Sequence, residues 1–232
     1  MGSTLSKDSG MPNSRRGALV WIEGIVGSGK STFARKVGKS LNLRVIEEPV
    51  DTNPYLAKFY LDQKKWAFGM QMFLLHKRYA MQQLASYEAT GVGGYNGAVL
   101  DRSISGDRVF AKMHTECGNI EPLDFETYEM AYSIMCRTLL PPTLLVFLDV
   151  QPETAFERMK KRNRDVESGV PLSYLKDLHK GYKALLKEAK RGLLPWGHAI
   201  EVALIPWDPD TLSEEQWARA AQTIEGACRT EW

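Results

Sequence analysis

The stretch Ala18-Leu19-Val20-Trp21-Ile22-Glu23-Gly24-Ile25-Val26-Gly27-Ser28-Gly29-Lys30-Ser31-Thr32 joins an apolar run of strand length to a helix through a glycine-rich connection. Gly24 through Ser31 complete the G-x-x-x-x-G-K-S phosphate-binding loop. Glycines are needed there because backbone N–H groups must close around phosphate oxygens without Cβ clashes. Lys30 is expected to reach the β- and γ-phosphates, and the Ser31 hydroxyl to bind Mg²⁺. The helix that starts at Lys30 turns its positive dipole end towards the same anion. Gly24, Gly27, Ser28, Gly29, Lys30, Ser31 and Thr32 are thus the expected triphosphate-binding set. The motif is specific for a nucleotide and silent about the acceptor.

Outward from this loop, strands and helices alternate. Residues 44–48 read as a second strand, 98–100 as a third, 143–150 as a fourth and 199–205 as a fifth. Helices are expected over 30–41, 64–86, 105–117, 122–140, 152–162 and 171–190, with one more at the C-terminus. The continuous apolar run 143–150 suits a parallel strand buried on both faces. The reading is an α/β P-loop kinase fold: a five-stranded parallel sheet, helices on both faces, and an arginine-bearing lid. Residues 1–16, rich in Ser, Lys, Asn and Gly, read as a disordered tail, and 17–232 as one domain.

Composition narrows the function classes. The 232 residues are 44% hydrophobic and 25% charged, with a net charge of +2, so no excess of base points to a nucleic-acid partner. The three cysteines, Cys117, Cys136 and Cys228, have no metal-ligand spacing and an odd total, which suits a reducing, cytoplasmic setting. Arg15-Arg16 before residues 17–27 imitates a secretion signal, but Glu23 interrupts the apolar run. Residues 1–6 fit the N-myristoylation pattern, against which stands the plainer reading of a polar tail. No stretch is long and apolar enough to span a membrane, and no membrane partner is expected.

Three charged clusters add chemistry to the loop. Arg158 and Arg162 share one helical face and Arg164 follows, so they either close over the triphosphate or form a solvated basic face. Glu48 ends the second strand and Asp101-Arg102 the third, at the carboxyl ends where open parallel sheets bind ligands. Glu48 is a candidate base for a hydroxyl acceptor, whereas Glu47 points the other way if the strand continues. Each is equally readable as a charge at an exposed strand end. Gln71 and Arg78, seven apart, project from one otherwise apolar helical face and need partners there; an ordinary buried ion pair is the alternative.

The assembled pattern resembles the deoxyribonucleoside kinases over about residues 18–190. It is carried by Ile22-Glu23-Gly24 with Gly29-Lys30-Ser31-Thr32, Glu48-Pro49-Val50, Asn53-Pro54-Tyr55-Leu56, Phe59-Tyr60 and Trp66-Ala67-Phe68 with Gln71 and Arg78. Asp101-Arg102-Ser103-Ile104 with Asp107, Arg158 with Arg162-Asn163-Arg164 and Glu167, and Leu172-Ser173-Tyr174-Leu175 with Leu178-His179 and Tyr182 complete it. The resemblance implies an ATP-dependent deoxynucleoside 5′-kinase with Mg²⁺. It implies Glu48 as general base, Arg102 as its partner at the transferring phosphate, and Asp101 near the metal. Tyr60 and Glu167 match the pair that holds the sugar 3′-hydroxyl. Gln71, Arg78 and Asp107 match the base-reading residues, and Phe110 is placed to stack on the base.

Thymidine-accepting members resemble this chain except that apolar residues replace Arg78 and Asp107, so deoxyadenosine, deoxyguanosine or deoxycytidine is expected, with a lean to bacterial purine-preferring members. Ser105-Gly106, and a long glycine loop at 91–97, depart from the family's pattern and are expected near the sugar and base. A homodimer through the helices at 64–86 and 122–140 is also implied. A nucleoside monophosphate kinase is the nearest rival, but a phosphate acceptor needs cations rather than a base. A non-catalytic subunit that kept the fold is expected to have lost Lys30, Glu48 or Arg102, and all three are present.

Overall fold

The computed structural model describes residues 17–47, 53–91, 93–162, 169–207 and 213–229. The expected disordered tail and the myristoylation pattern lie outside them, as do Glu48, Arg164 and Glu167. In chain order the elements are β1 (Ala18–Glu23), α1 (Lys30–Leu41), β2 (Arg44–Ile46), α2 (Leu56–Leu61), α3 (Gln63–Glu88), β3 (Gly97–Asp101) and α4 (Ile104–Glu116). They continue with α5 (Pro122–Arg137), β4 (Leu144–Asp149), α6 (Pro152–Arg162), α7 (Leu172–Lys190), β5 (Glu201–Pro206) and α8 (Glu214–Arg229).

The five strands form one parallel sheet in the order β2-β3-β1-β4-β5. Every residue of β1 and nearly every one of β4 is buried, because both strands are covered on two faces and their side chains have no solvent side to alternate towards. Helices α1 and α8 lie against the sheet and each other, joined by Phe33 wedged edge-on between Trp207 (4.6 Å) and Trp217 (5.6 Å). α3 covers β2 and β3, α7 covers β5, and α4 packs between α3 and α7 with α5 outside it.

Three boundaries differ from the sequence reading. The second strand stops at Ile46, two residues early, because Glu47 leaves the ladder to pair with Arg35. The short α2 has too few residues to show a period. The glycine loop after α3 lies far from the sugar and base. It feeds the amino end of β3, where Gly97 pairs with Ala18 and Asn96 donates to the Asn42 carbonyl, whereas ligands collect at the carboxyl ends.

Candidate active site

The phosphate loop follows the central strand. Gly29 (φ 83°) precedes α1 with no side-chain cap, and the helix has no acidic residue in its first turn. Its leading N–H groups and positive dipole end are thus left for an anion. Gly27 holds φ +80°, and a Cβ there would stand 2.3 Å from the Ala155 carbonyl oxygen, so α6 is seated directly on the loop. Arg158 follows Ala155 by about one turn and Arg162 by two, on the same side of α6. Arg158 is half-buried and Arg162 exposed.

Lys30 is buried, and its Nζ donates to the Ile25 carbonyl at 2.8 Å and Ser28 Oγ at 3.4 Å. The Ser31 hydroxyl donates to the Asp101 carboxylate, so the two expected metal-binding oxygens meet between the first turn of α1 and the end of β3. Two hard oxygens suit Mg²⁺, which keeps several waters and takes the rest of its ligands from phosphates.

Beyond Asp101 the chain turns sharply. Arg102 has φ +76°, a left-handed conformation that strains a residue with a side chain. Its N–H donates to the Ile22 carbonyl at 3.1 Å, and its Nη1 to the Tyr182 hydroxyl at 2.9 Å. The guanidinium lies 5.0 Å over the Phe110 ring, which also meets Tyr182 edge-on. One face of Phe110 is therefore covered by Arg102.

The next residue is tied to Glu23, a carboxylate with no exposure at the end of β1. Glu23 Oε1 accepts from Ser103 N–H at 2.8 Å and Ser103 Oγ at 2.6 Å. Burial pushes the Glu23 carboxyl up, opposed by the Ser103 hydrogen bonds and by the charges of Arg102 and Lys30. Ser103 Oγ also caps α4 by accepting from Gly106 N–H.

A second polar cluster sits between α3 and α4. Arg78 and Asp107 form an ion pair whose side chains are 4% and 0% exposed, and Asp107 Oδ2 accepts from the Tyr128 hydroxyl at 2.5 Å. Burial holds the Tyr128 phenol well above its usual range, so it stays a donor. Gln71, two turns before Arg78, is fully buried, and neither its Oε1 nor its Nε2 makes a hydrogen bond. A buried carboxamide without partners is costly unless a ligand supplies them. Ser105 bonds the Tyr132 hydroxyl at 2.8 Å, where a larger side chain would displace it. Tyr60, half-buried on α2, packs on Phe59.

Of the residues expected at the site, Ser31 and Asp101 meet beside the loop that carries Lys30, Arg102 follows at the end of β3, and Arg78 pairs with Asp107 on the α3 face that also carries Gln71. Glu23, Tyr128 and Tyr182 were given no role by sequence reasoning. Glu23 and Tyr182 lay inside resemblance motifs, and a carboxylate ending an otherwise apolar buried strand was the available signal.

An all-parallel sheet, a phosphate loop after its central strand, an Asp-Arg pair ending the neighbouring strand and an arginine-bearing helix seated on the loop define a P-loop kinase. A deoxynucleoside kinase family profile matches residues 20–223, and the chain belongs to that family. A deoxyadenosine kinase of Dictyostelium discoideum is 38% identical over 205 residues, 87% of this chain and 78% of that protein. A deoxyadenosine/deoxycytidine kinase of Bacillus subtilis is 35% identical over 171 residues, 72% of this chain and 76% of that protein. Among solved structures, deoxyadenosine kinase from M. mycoides with bound dCTP matches with a TM-score of 0.73 at 26% identity, covering 89% of this chain and 98% of that one. The protein is an ATP-dependent phosphotransferase that acts on deoxynucleosides.

Proposed function

We propose that this enzyme phosphorylates the 5′-hydroxyl of deoxyadenosine, deoxycytidine or deoxyguanosine and discriminates against thymidine. The observation that carries this reading is Gln71, whose buried carboxamide has both ends unpartnered on the same α3 face as Arg78, the partner of Asp107. Adenine and cytosine each present a ring-nitrogen acceptor next to an amino donor, which one carboxamide matches at both ends. Asp107 then accepts from the same amino group. Guanine requires the amide turned over, with Arg78 facing its carbonyl. Thymine sets a carbonyl and a methyl against a charged pair that cannot be rearranged cheaply. Relatives named for deoxyadenosine and deoxycytidine lend weight to an amino-bearing base.

In the proposed reaction a bond forms between the 5′-oxygen and the γ-phosphorus as the bond to the bridging oxygen breaks, and the hydroxyl proton passes to Glu48. Glu47 is unsuited to that task, because hydrogen bonds from Arg35 hold its carboxyl below the usual range. Lys30, Arg102 and the arginines of the lid, Arg158, Arg162 and Arg164, neutralise charge on the moving phosphoryl group. Ser31 and Asp101 hold Mg²⁺, which supplies a further positive charge at the phosphates. Tyr60 and Glu167 grip the 3′-hydroxyl, and Phe110, one face of which Arg102 covers, is placed to stack on the base.

A homodimer is part of the proposal. Leu123, Met130 and Ile134 form an exposed apolar stripe along α5, and Leu84 and Tyr87 are exposed on α3, which packs against α5. The three cysteines are free thiols, in keeping with a reducing, cytoplasmic setting, and phosphorylation of a preformed deoxynucleoside would serve its salvage. Among the described residues no helix is long and apolar enough to cross a membrane.

Gln71→Leu tests the base reading. We expect KM for deoxyadenosine to rise roughly 10- to 100-fold, from two lost hydrogen bonds, with KM for ATP unchanged. A folded variant with unchanged deoxyadenosine KM would remove Gln71 from the site.

A further inference from the structure

We propose that Glu23 is a positioning residue for phosphoryl transfer, clamping the strained turn that aims Arg102. The inference rests on the reading of Arg102 as the group that contacts the transferring phosphate. A left-handed conformation at an arginine persists only where its surroundings over-determine it. Here the turn is held on both sides. Arg102 N–H is bonded to the carbonyl of Ile22, and the following Ser103 gives both its N–H and its hydroxyl to Glu23 Oε1. Ile22 and Glu23 are adjacent in the central strand, so the turn is fastened to the element that leads directly into the phosphate loop.

The side chain of Arg102 is held by a second route. Its Nη1 donates to Tyr182 on α7, whose phenol is pushed well above its usual range by burial first and by the nearby Glu23 second. Glu23 thereby bears on the backbone of Arg102 through Ser103 and on its guanidinium through the field at Tyr182 and Arg102 itself. Burying a carboxylate is expensive, and capping α4 does not require one, since the Ser103 hydroxyl already caps that helix through Gly106 N–H. Gly106 fits the same account. A Cβ at this position would stand 2.3 Å from Glu23 Oε1, so the glycine that departs from the family pattern makes room for the carboxylate.

The test is a double-mutant cycle with full steady-state kinetics. Glu23→Gln keeps the shape of the side chain and removes its charge. We expect kcat to fall roughly 10- to 100-fold, the usual cost of misplacing a reacting group, with deoxynucleoside KM unchanged. In an Arg102→Ala background the same change is expected to cost nothing further, because there is no guanidinium left to aim. A merely structural role would lower stability and repeat its loss in both backgrounds. That result, or full kcat in a folded Glu23→Gln variant, would overturn the proposal. Should Glu23→Gln fail to fold, Tyr182→Phe tests the same link while keeping the ring. A kcat loss that vanishes in Arg102→Ala supports the clamp, and an undiminished kcat overturns it. Full activity of Arg102→Ala alone would overturn the reading of Arg102, and this inference with it.

Discussion

Removing Asp107 takes the ion-pair carboxylate from the buried Arg78 guanidinium and the acceptor from the buried Tyr128 hydroxyl at once. Breaking a buried ion pair from one side costs about 3–5 kcal/mol. The orphaned hydroxyl adds about 1–3 kcal/mol. Together these approach the whole stability of a domain, about 5–15 kcal/mol, so Asp107→Ala is expected to unfold before it reports on specificity. Even the double change Arg78→Met with Asp107→Ala leaves Tyr128 without its acceptor. The informative variant is the triple Arg78→Met, Asp107→Ala, Tyr128→Phe, which removes these three groups together and leaves apolar room for a thymine methyl. We expect it to melt near the wild type and to lose about 10- to 100-fold in kcat/KM for deoxyadenosine, the worth of one hydrogen bond to a charged group. Thymidine is expected to gain. The assay is steady-state kcat/KM for the four deoxynucleosides, with thermal melting alongside. A folded triple variant with the wild-type preference order would refute the reasoning.

Glu48→Gln is expected to bind deoxynucleoside normally and to lose roughly 10²–10⁴-fold in kcat, the usual worth of a general base. Unchanged kcat would take that role from Glu48. His114 supplies a pH test. Burial on α4 lowers its pKa from 6.5 to about 4, so the folded state resists protonation more than the unfolded chain does. Its stability contribution is intact above the unfolded value and declines as pH falls below it, by roughly 2 kcal/mol between about pH 7 and about pH 5. His114→Gln is expected to flatten the melting-temperature slope over that interval, and equal slopes in the two proteins would contradict the assignment.

The phosphate loop, the strand order of events along the chain and the polar face of α3 were legible because each has a period or a fixed spacing. A loop motif between strand and helix leaves few alternatives, and Gln71 and Arg78 show their common face by being seven apart. What escaped depends on contacts between residues distant in sequence. Tyr128 reaches Asp107 from another helix, and Tyr182 reaches Arg102 across 80 positions, so no local pattern marks either. Glu23 stood in a resemblance motif and interrupted an apolar run, but neither feature gave it a role. The left-handed turn at Arg102 was hidden because arginine carries no preference for it, unlike the glycines of the loop. The glycine loop at 91–97 was misplaced for a topological reason, since which end of a strand a loop serves follows from sheet order rather than composition.

The central claim is that Gln71, Arg78 and Asp107 select an amino-bearing or purine base. Its most direct test is the wild-type enzyme with Mg·ATP against the four deoxynucleosides, with the 5′-monophosphate products quantified. We expect kcat/KM for deoxyadenosine or deoxycytidine to exceed that for thymidine by about 10²-fold or more. Thymidine turned over as efficiently as both would contradict the account.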